Sequence, residues 1–488
     1  MAPVAEHVTL LDAVSVAPTQ DTAPVYNVPL YIGTDHGTVD QFIGHQIESG
    51  AEKASFLVTN LTTIANQVLL WRKELPMVDP HYAMKCHPNP TICRLLASMG
   101  VGFDCATKGE LEMVLAMQNG LRVDLLKCGV DSGHAAVAVK GEVVRARKPM
   151  VIAGWESDAH KIIYANPAKM EDALIYAADN NINLTVFDGE DELRRMAAIP
   201  GQAFECVLRL ATEDSSSVCK FSAKFGADVN EAEHLLTVAK DLGLKVVGVS
   251  FHTGSGCGDV AAYRIAMEHA LRVFQTAEAL GMPPLTLVDI GGGFPGDMSG
   301  YGGPGMPTFQ EIAAQVRESV DSFCEALDAT PMHIPTTGFG DKHATGRQVR
   351  FIAEPGRFMV SASTSVATKI YARKGCNQGT DAEVQGLYVD DGVYGTFNNV
   401  VYDHYHAHPL RLNTLLGGEK GKMMPTSVFG PTCDGLDVMC STEDTVFERC
   451  EVDEWLVWHD MGAYTHTGSY VFNGYTHVPH HYHFVEEE

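Results

Sequence analysis

Eight short apolar runs recur between about Ser55 and Ser361, separated by stretches with helical spacing. The runs are "HYAMK" (81–85), "VGFDC" (101–105), "KIIYAN" (161–166), "LTVFD" (184–188), "CVLRLA" (206–211), "VVGVSFH" (246–252), "LTLVDI" (285–290) and "RFIAE" (350–354). Between them, "TKGELEMVLAMQNG" carries Leu111, Val114 and Leu115 on one helical face and stops at Gly120. A second helical stretch, "AAYRIAMEHALRVFQTAEALG", ends at Gly281. Strands alternating with helices predict a parallel sheet, and eight strands predict a closed (β/α)8 barrel. After Ser361 the pattern changes to strands joined by turns, as in "GLYVDDGVYGTFNNVVYDHYH" and "EWLVWHDMGAYT". The expected architecture is α/β: a barrel over 54–361 and a second, mostly β domain formed by 26–53 plus 362–488. Residues 1–25, without a clear period, are expected to form a mobile leader.

Most strand runs carry a polar residue or glycine at or just past the carboxyl end. In order these are Lys85, Asp104, Asn166, Asp188, Arg209, His252, Gly291 and Glu354. Each alone is as well read as a loop cap. A barrel gathers all eight ends on one face, where barrel enzymes place their chemistry.

Composition narrows the classes. The 488 residues are 45% hydrophobic and 20% charged, a globular balance, and the net charge is -26. So much negative charge argues against nucleic acid or anionic membrane as a partner. Twelve cysteines are scattered without a CxxC pair, which suggests free thiols in a reducing compartment. With no signal-peptide pattern or transmembrane run, the cytoplasm is the expected location.

Three features carry chemistry. Lys85 ends a strand where prolines prevent its continuation, a place suited to a Schiff-base amine. "DIGGGFPG" (289–296) offers Gly291, Gly292 and Gly293, whose N–H groups can approach a phosphate without side-chain obstruction; "FHTGSGCG" adds Ser255. "AEPGR" sets Glu354 and Arg357 three residues apart, a carboxylate for a ring nitrogen and a guanidinium for a phosphate. Amine, phosphate cradle and carboxylate together point to pyridoxal 5'-phosphate. Neither glycine cluster matches a P-loop or dinucleotide pattern, and no GxSxG supplies a hydrolase nucleophile.

The same stretches, with "GVGFDCATKGE", "IIYANPAK", "DDGVYGTFNNVVYDH", "GPTCDGLD" and "MGAYT", resemble the eukaryotic ornithine decarboxylases, fold-type III pyridoxal-phosphate enzymes. The resemblance runs from about Leu57 to Tyr475. It implies that Lys85 holds the cofactor covalently, that Glu354 pairs with the ring nitrogen and that His252 stacks on the ring. Ser255, Gly291 to Gly293, Arg357 and Tyr464 would bind phosphate, and Asp104 and Arg209 would line the site. Tyr402, Asp403 and Asp434 would receive the distal ammonium of a diamino acid, and Cys433 would return a proton after carbon dioxide leaves. These C-terminal groups are expected to act across a homodimer interface, with Lys224 and Asp437 as a salt bridge spanning it. The implied reaction is decarboxylation of L-ornithine to putrescine. Lysine or a related diamino acid remains an alternative, as does a non-catalytic relative like the antizyme inhibitors. The retained Lys85, Asp104, Arg209, Glu354, Arg357 and Cys433 weigh against the latter.

Leu121 to Lys161 exceeds the family's connection and is expected to lie outside the barrel. It adjoins the helix that binds antizyme in animal relatives, so that partner is not carried over. Thr107 and Glu110 read as a helix capping box. His404, His406 and His408 alternate but read as packed or exposed rather than as metal ligands, and no metal site is expected. The tail "HVPHHYHFVEEE" reads as a disordered end.

Overall fold

The computed structural model describes residues 30–33, 39–117, 121–123, 125–128, 150–152, 161–296, 305–332, 347–376 and 383–485. The expected leader and most of the extra segment 121–161 lie outside these residues.

Eight parallel strands close a barrel: β1 (Val78–Ala83), β2 (Gly102–Cys105), β3 (Ile162–Tyr164), β4 (Leu184–Phe187), β5 (Glu205–Leu210), β6 (Lys245–Phe251), β7 (Leu287–Asp289) and β8 (Arg347–Ala353). Pairing of β8 with both β7 and β1 closes the ring. All eight coincide with the apolar runs of the sequence. Helices between them bury one face, as in Ala261–Ala279, which turns Ala266, Ala270, Val273 and Phe274 inward. Thr107 caps Lys108–Ala116 through the expected capping box with Glu110.

Alternation along the strands decides what faces the barrel interior. Ile163, Leu184, Val186, Val207, Val247, Leu287 and Ile352 form one separate buried cluster. Phe187, Leu208, Val288 and Phe351 belong to the large cluster shared with the helices. With a period of two, Arg209, Asp289 and Glu354 fall on the same face as Val207, Leu287 and Ile352. Each therefore projects from the interior at the carboxyl-end mouth.

The second sheet runs in the order Val438–Cys440, Met423–Phe429, Val384–Val389, Thr364–Cys376, Phe56–Asn60, His480–Val485, Leu30–Gly33 and Leu125–Cys128. Phe56–Asn60 pairs with Thr364–Cys376, so the helix Leu61–Glu74 is the first element packed on the barrel. Val39–Glu48 packs Phe42 and Ile43 against Phe56, Trp455 and Val457.

The C-terminal tail corrects its sequence reading. Rather than a disordered end, His480–Val485 is a strand between Phe56–Asn60 and Leu30–Gly33. Its histidines have specific partners: His480 Nε2 lies 2.7 Å from Thr59 Oγ1, and His481 Nε2 lies 2.6 Å from Glu52. Polar composition suggested solvent, but these polar atoms bind the protein.

Candidate active site

Lys85 sits in the short helical turn Met84–Cys86 that follows β1. Its Nζ is 2.5 Å from Asp104 Oδ2, at the end of the neighbouring β2. Burial alone would lower the lysine's pKa; Asp104 and then Glu354 outweigh it and hold the amine above its usual range. Asp104 is buried, and its Oδ1 has no hydrogen-bond partner among the described residues.

Glu354 follows β8 and is 7% exposed. Burial, then Asp104 and Asp289, push its pKa well above the carboxylate range, against Lys85 and Arg209. His252 follows β6. Its Nδ1 accepts the Gly254 N–H at 3.0 Å, which leaves the ring proton on Nε2. Burial, with Arg209 and Lys85 nearby, holds this imidazole well below its usual pKa, so it is neutral near pH 7.

The triple glycine is required by space. A Cβ on Gly291, at φ +64°, would lie 2.1 Å from Phe251 O; one on Gly292 would lie 2.7 Å from His252 Nε2; one on Gly293, at φ +98°, would lie 2.6 Å from Gly254 O. Nearby, Arg357 Nη2 is 3.4 Å from Ser255 Oγ, and its guanidinium lies 5.1 Å from the Tyr464 ring centre. Tyr464 holds a left-handed φ of +57°, fixed by its N–H donating to Cys86 O at 3.0 Å. That bond ties the second domain's loop to the turn of Lys85.

The remaining expected residues divide. Asn166 and Asp188 hold loops: Asn166 Nδ2 donates to Ala106 O, and Asp188 Oδ2 accepts from Gly226 N. Asp403, expected to reach a partner's site, faces its own chain, where both carboxylate oxygens meet Arg357 Nη2 at 2.8 and 2.6 Å. The preceding helix, Asn398–Tyr402, is anchored beside the Tyr464 loop, with Asn398 donating to Thr465 O. Tyr402 itself is 78% exposed.

Cys433 is exposed, with Sγ 3.3 Å from Asn473 Oδ1. Asp434 accepts from Tyr394 OH and from Leu436 N, and Tyr394 stacks on Phe472 at 4.4 Å. Neither Cys433 nor Asp434 bonds any cofactor-facing group of its own chain among the described residues. Asp437 is 2% exposed and holds its own loop through Val393 N, Thr432 N and Thr432 Oγ1. Lys224 is exposed beside the Phe225 ring. His404, His406 and His408 are exposed along one side of an extended segment.

Residues 61–122 and 134–361 match the family described as "Pyridoxal-dependent decarboxylase, pyridoxal binding domain". The chain belongs to this family. Its relatives include the ornithine decarboxylases of Caenorhabditis elegans, 34% identical over 87% of this chain and 86% of that one, and of Neurospora crassa, 36% identical over 87% and 79%. Antizyme inhibitor 2 of Xenopus laevis is also 34% identical, over 90% and 83%. Among solved structures, lysine decarboxylase from Selenomonas ruminantium superposes with a TM-score of 0.70 at 27% identity, covering 92% of this chain and 96% of that one.

The site fits the family's cofactor. An amine, a neutral imidazole, a buried carboxyl and a glycine turn without room for side chains converge on one barrel mouth. Asp289 went unassigned in the sequence although it opens the glycine motif; only its burial at 0% exposure and its position inside the barrel reveal it.

Proposed function

We propose that this chain is a pyridoxal-phosphate-dependent decarboxylase that converts L-ornithine to putrescine and carbon dioxide. The observation that carries the reading is Lys85, an amine held by buried Asp104 in front of Glu354 and the glycine cradle. Identity alone does not separate enzyme from antizyme inhibitor, because both kinds of relative are about equally similar. The complete set of cofactor-facing side chains favours the enzyme.

The cofactor, when bound, supplies an aldehyde and an electron-withdrawing ring. Lys85 provides the amine for the aldehyde. Glu354 offers its carboxylate to the ring nitrogen, and neutral His252 packs on the ring face without adding charge. Gly292, Gly293, Ser255, Arg357 and Tyr464 would bind the phosphate, the two glycines through backbone N–H groups, while Gly291, whose N–H goes to Asp289 Oδ1, would shape the cradle. Asp403 and Asp434 supply negative charge for the distal ammonium, and Cys433 a proton for the carbon that loses carbon dioxide.

The active unit in this reading is a homodimer. Cys433 and Asp434 lie on an exposed loop, flanked by Leu436 at 74% and Tyr470 at 68% exposure. An apolar surface beside functional groups that meet no cofactor-facing residue of their own chain fits a second copy of the chain that supplies the barrel mouth. A cytoplasmic location suits the ten cysteines whose side chains the structure describes, all of them free.

Product analysis with L-ornithine, L-lysine, L-arginine and diaminopimelate tests the substrate. Putrescine should form fastest. A higher kcat/KM for lysine would replace ornithine, and absence of carbon dioxide from all four would sink the enzyme reading. In parallel, Lys85→Ala should lose the borohydride-reducible cofactor linkage.

A further inference from the structure

Three carboxyl groups and two cations meet inside the barrel mouth. Asp104, Asp289 and Glu354 are all buried, and Lys85 and Arg209 face them. His252 is neutral, so one negative charge remains uncompensated. A buried carboxylate in that position resolves the excess by taking a proton.

Geometry assigns the place of that proton. Asp104 is committed to Lys85. Asp289 Oδ1 accepts the Gly291 N–H at 2.9 Å, while Oδ2 is sealed from solvent with no well-formed hydrogen bond. Glu354 lies beside it, its own N–H donating to Gly291 O at 2.6 Å. Gly291 thus links the Asp289 carboxyl and the Glu354 backbone through its two backbone groups, and the Glu354 side chain reaches the Asp289 carboxyl within hydrogen-bonding distance.

We propose that Asp289 and Glu354 hold one proton between them, and that Asp289 is a positioning residue that sets the charge of the carboxyl facing the cofactor's ring nitrogen. The inference rests on the reading of Lys85 and Glu354 as the pyridoxal-phosphate site. The proton balance is closed. Toward an unprotonated ring nitrogen, the pair would give up its one proton, an O–H bond breaking as an N–H bond formed, and Glu354 would be left as a carboxylate opposite a cation. Burial also pushes Asp289 up to about 7, with Asp104 adding to the rise and Glu354, Gly291 N–H and Arg209 opposing it.

The test uses the cofactor-free protein. A carboxyl whose pKa is raised by folding stabilises the fold fully below its unfolded value, about 4, and loses that contribution as pH rises to about 7. The wild-type Tm should therefore contain a fall between pH 4 and 7 that Asp289→Asn and Glu354→Gln each reduce. Because Asn cannot share a carboxyl proton, a purely structural role for Asp289 would instead lower Tm equally at every pH, and that parallel result would overturn the proposal. If the variants do not fold, carbon-13 carboxyl spectra of the wild type decide: a buried carboxyl titrating near pH 7 upholds the shared proton, and none titrating above pH 5 overturns it. Failure of the underlying cofactor reading looks different. Lys85→Ala would then keep its borohydride-fixed pyridoxal phosphate, whatever the pair's titration shows.

Discussion

Arg357 and Asp403 form a buried ion pair in which Nη2 of the arginine lies within 2.8 Å of both carboxylate oxygens. The residue expected to hold substrate ammonium thus also holds the arginine expected to hold phosphate. Breaking a buried pair from one side typically costs about 3–5 kcal/mol. Asp403→Ala should destabilise the cofactor-free protein by that order, and excess pyridoxal phosphate should restore part of the loss by giving Arg357 another anion. Urea unfolding with and without the cofactor measures both effects. Unchanged midpoints would show that the pair contributes no stability.

The histidines of the C-terminal strand form a seam with the turn of Lys85. His87 is 2% exposed, donates from Nδ1 to Gly462 O at 2.9 Å, and lies 5.7 Å, ring to ring, from His480. Burial, with His466 nearby, lowers His87 to about 4 against the raising effect of the Gly462 carbonyl. Burial, then His87, His466 and His481, likewise holds His480 well below its usual value. A histidine lowered by folding contributes fully above its unfolded pKa of about 6.5, and that contribution is lost as pH falls towards 4. For His87 the span corresponds to about 3 kcal/mol. His87→Asn keeps an N–H near the Nδ1 position and removes the titration. Its Tm should fall less than the wild type's between pH 6.5 and 4.5.

These two relationships mark where the sequence stopped being informative. The barrel was legible because most runs are largely apolar and carry a polar residue or glycine at or just past the carboxyl end, as Glu354 does after Phe351 and Ile352. Lys85, Glu354 and the glycines were legible because their chemistry is local to short motifs. Asp403's partner was not, since 46 residues separate it from Arg357 and no motif records that approach. The tail misled for a related reason: His480 finds Thr59 across 421 residues, and a polar run carries no sign of such a partner.

Asp434 is expected to select the diamino acid. Its carboxylate is only partly exposed in the single chain and already accepts from Tyr394 OH, which lowers its pKa, so it is ionised and oriented before substrate arrives. Asp434→Ala should raise KM for ornithine about ten- to a hundredfold, the usual effect of losing one charge-assisted bond. Equal KM values for wild type and variant would remove Asp434 from the substrate site.

If sites are shared between subunits, two different inactive chains should complement each other. Lys85→Ala and Cys433→Ala homodimers lack one essential group in every site. Their heterodimer contains one site with both wild-type residues. Mixing under conditions of demonstrated subunit exchange should restore up to about a quarter of wild-type activity, the statistical share of intact sites in a random mixture. Exchange without recovery would mean that Lys85 and Cys433 act in the same chain, or not together.

Cys433 is expected to deliver the proton that replaces carbon dioxide on the substrate carbon. Its thiol is exposed and directly precedes Asp434, so a partner's substrate held by that aspartate would meet it. A thiol carries a proton that it can give to a carbanion, as a donor must. Carbon dioxide can still leave without it, because the electron pair is accepted by the cofactor ring. The pair must then capture a proton elsewhere, and capture at the cofactor's own carbon yields pyridoxamine phosphate and an aldehyde. Cys433→Ala should therefore slow putrescine formation and increase pyridoxamine phosphate, so that activity declines during turnover. A merely space-filling thiol would give a clean product at a reduced Tm, and this exposed position offers little packing to lose. Chromatography of the cofactor after turnover separates the two outcomes: no pyridoxamine phosphate above the wild-type amount would remove Cys433 as the donor.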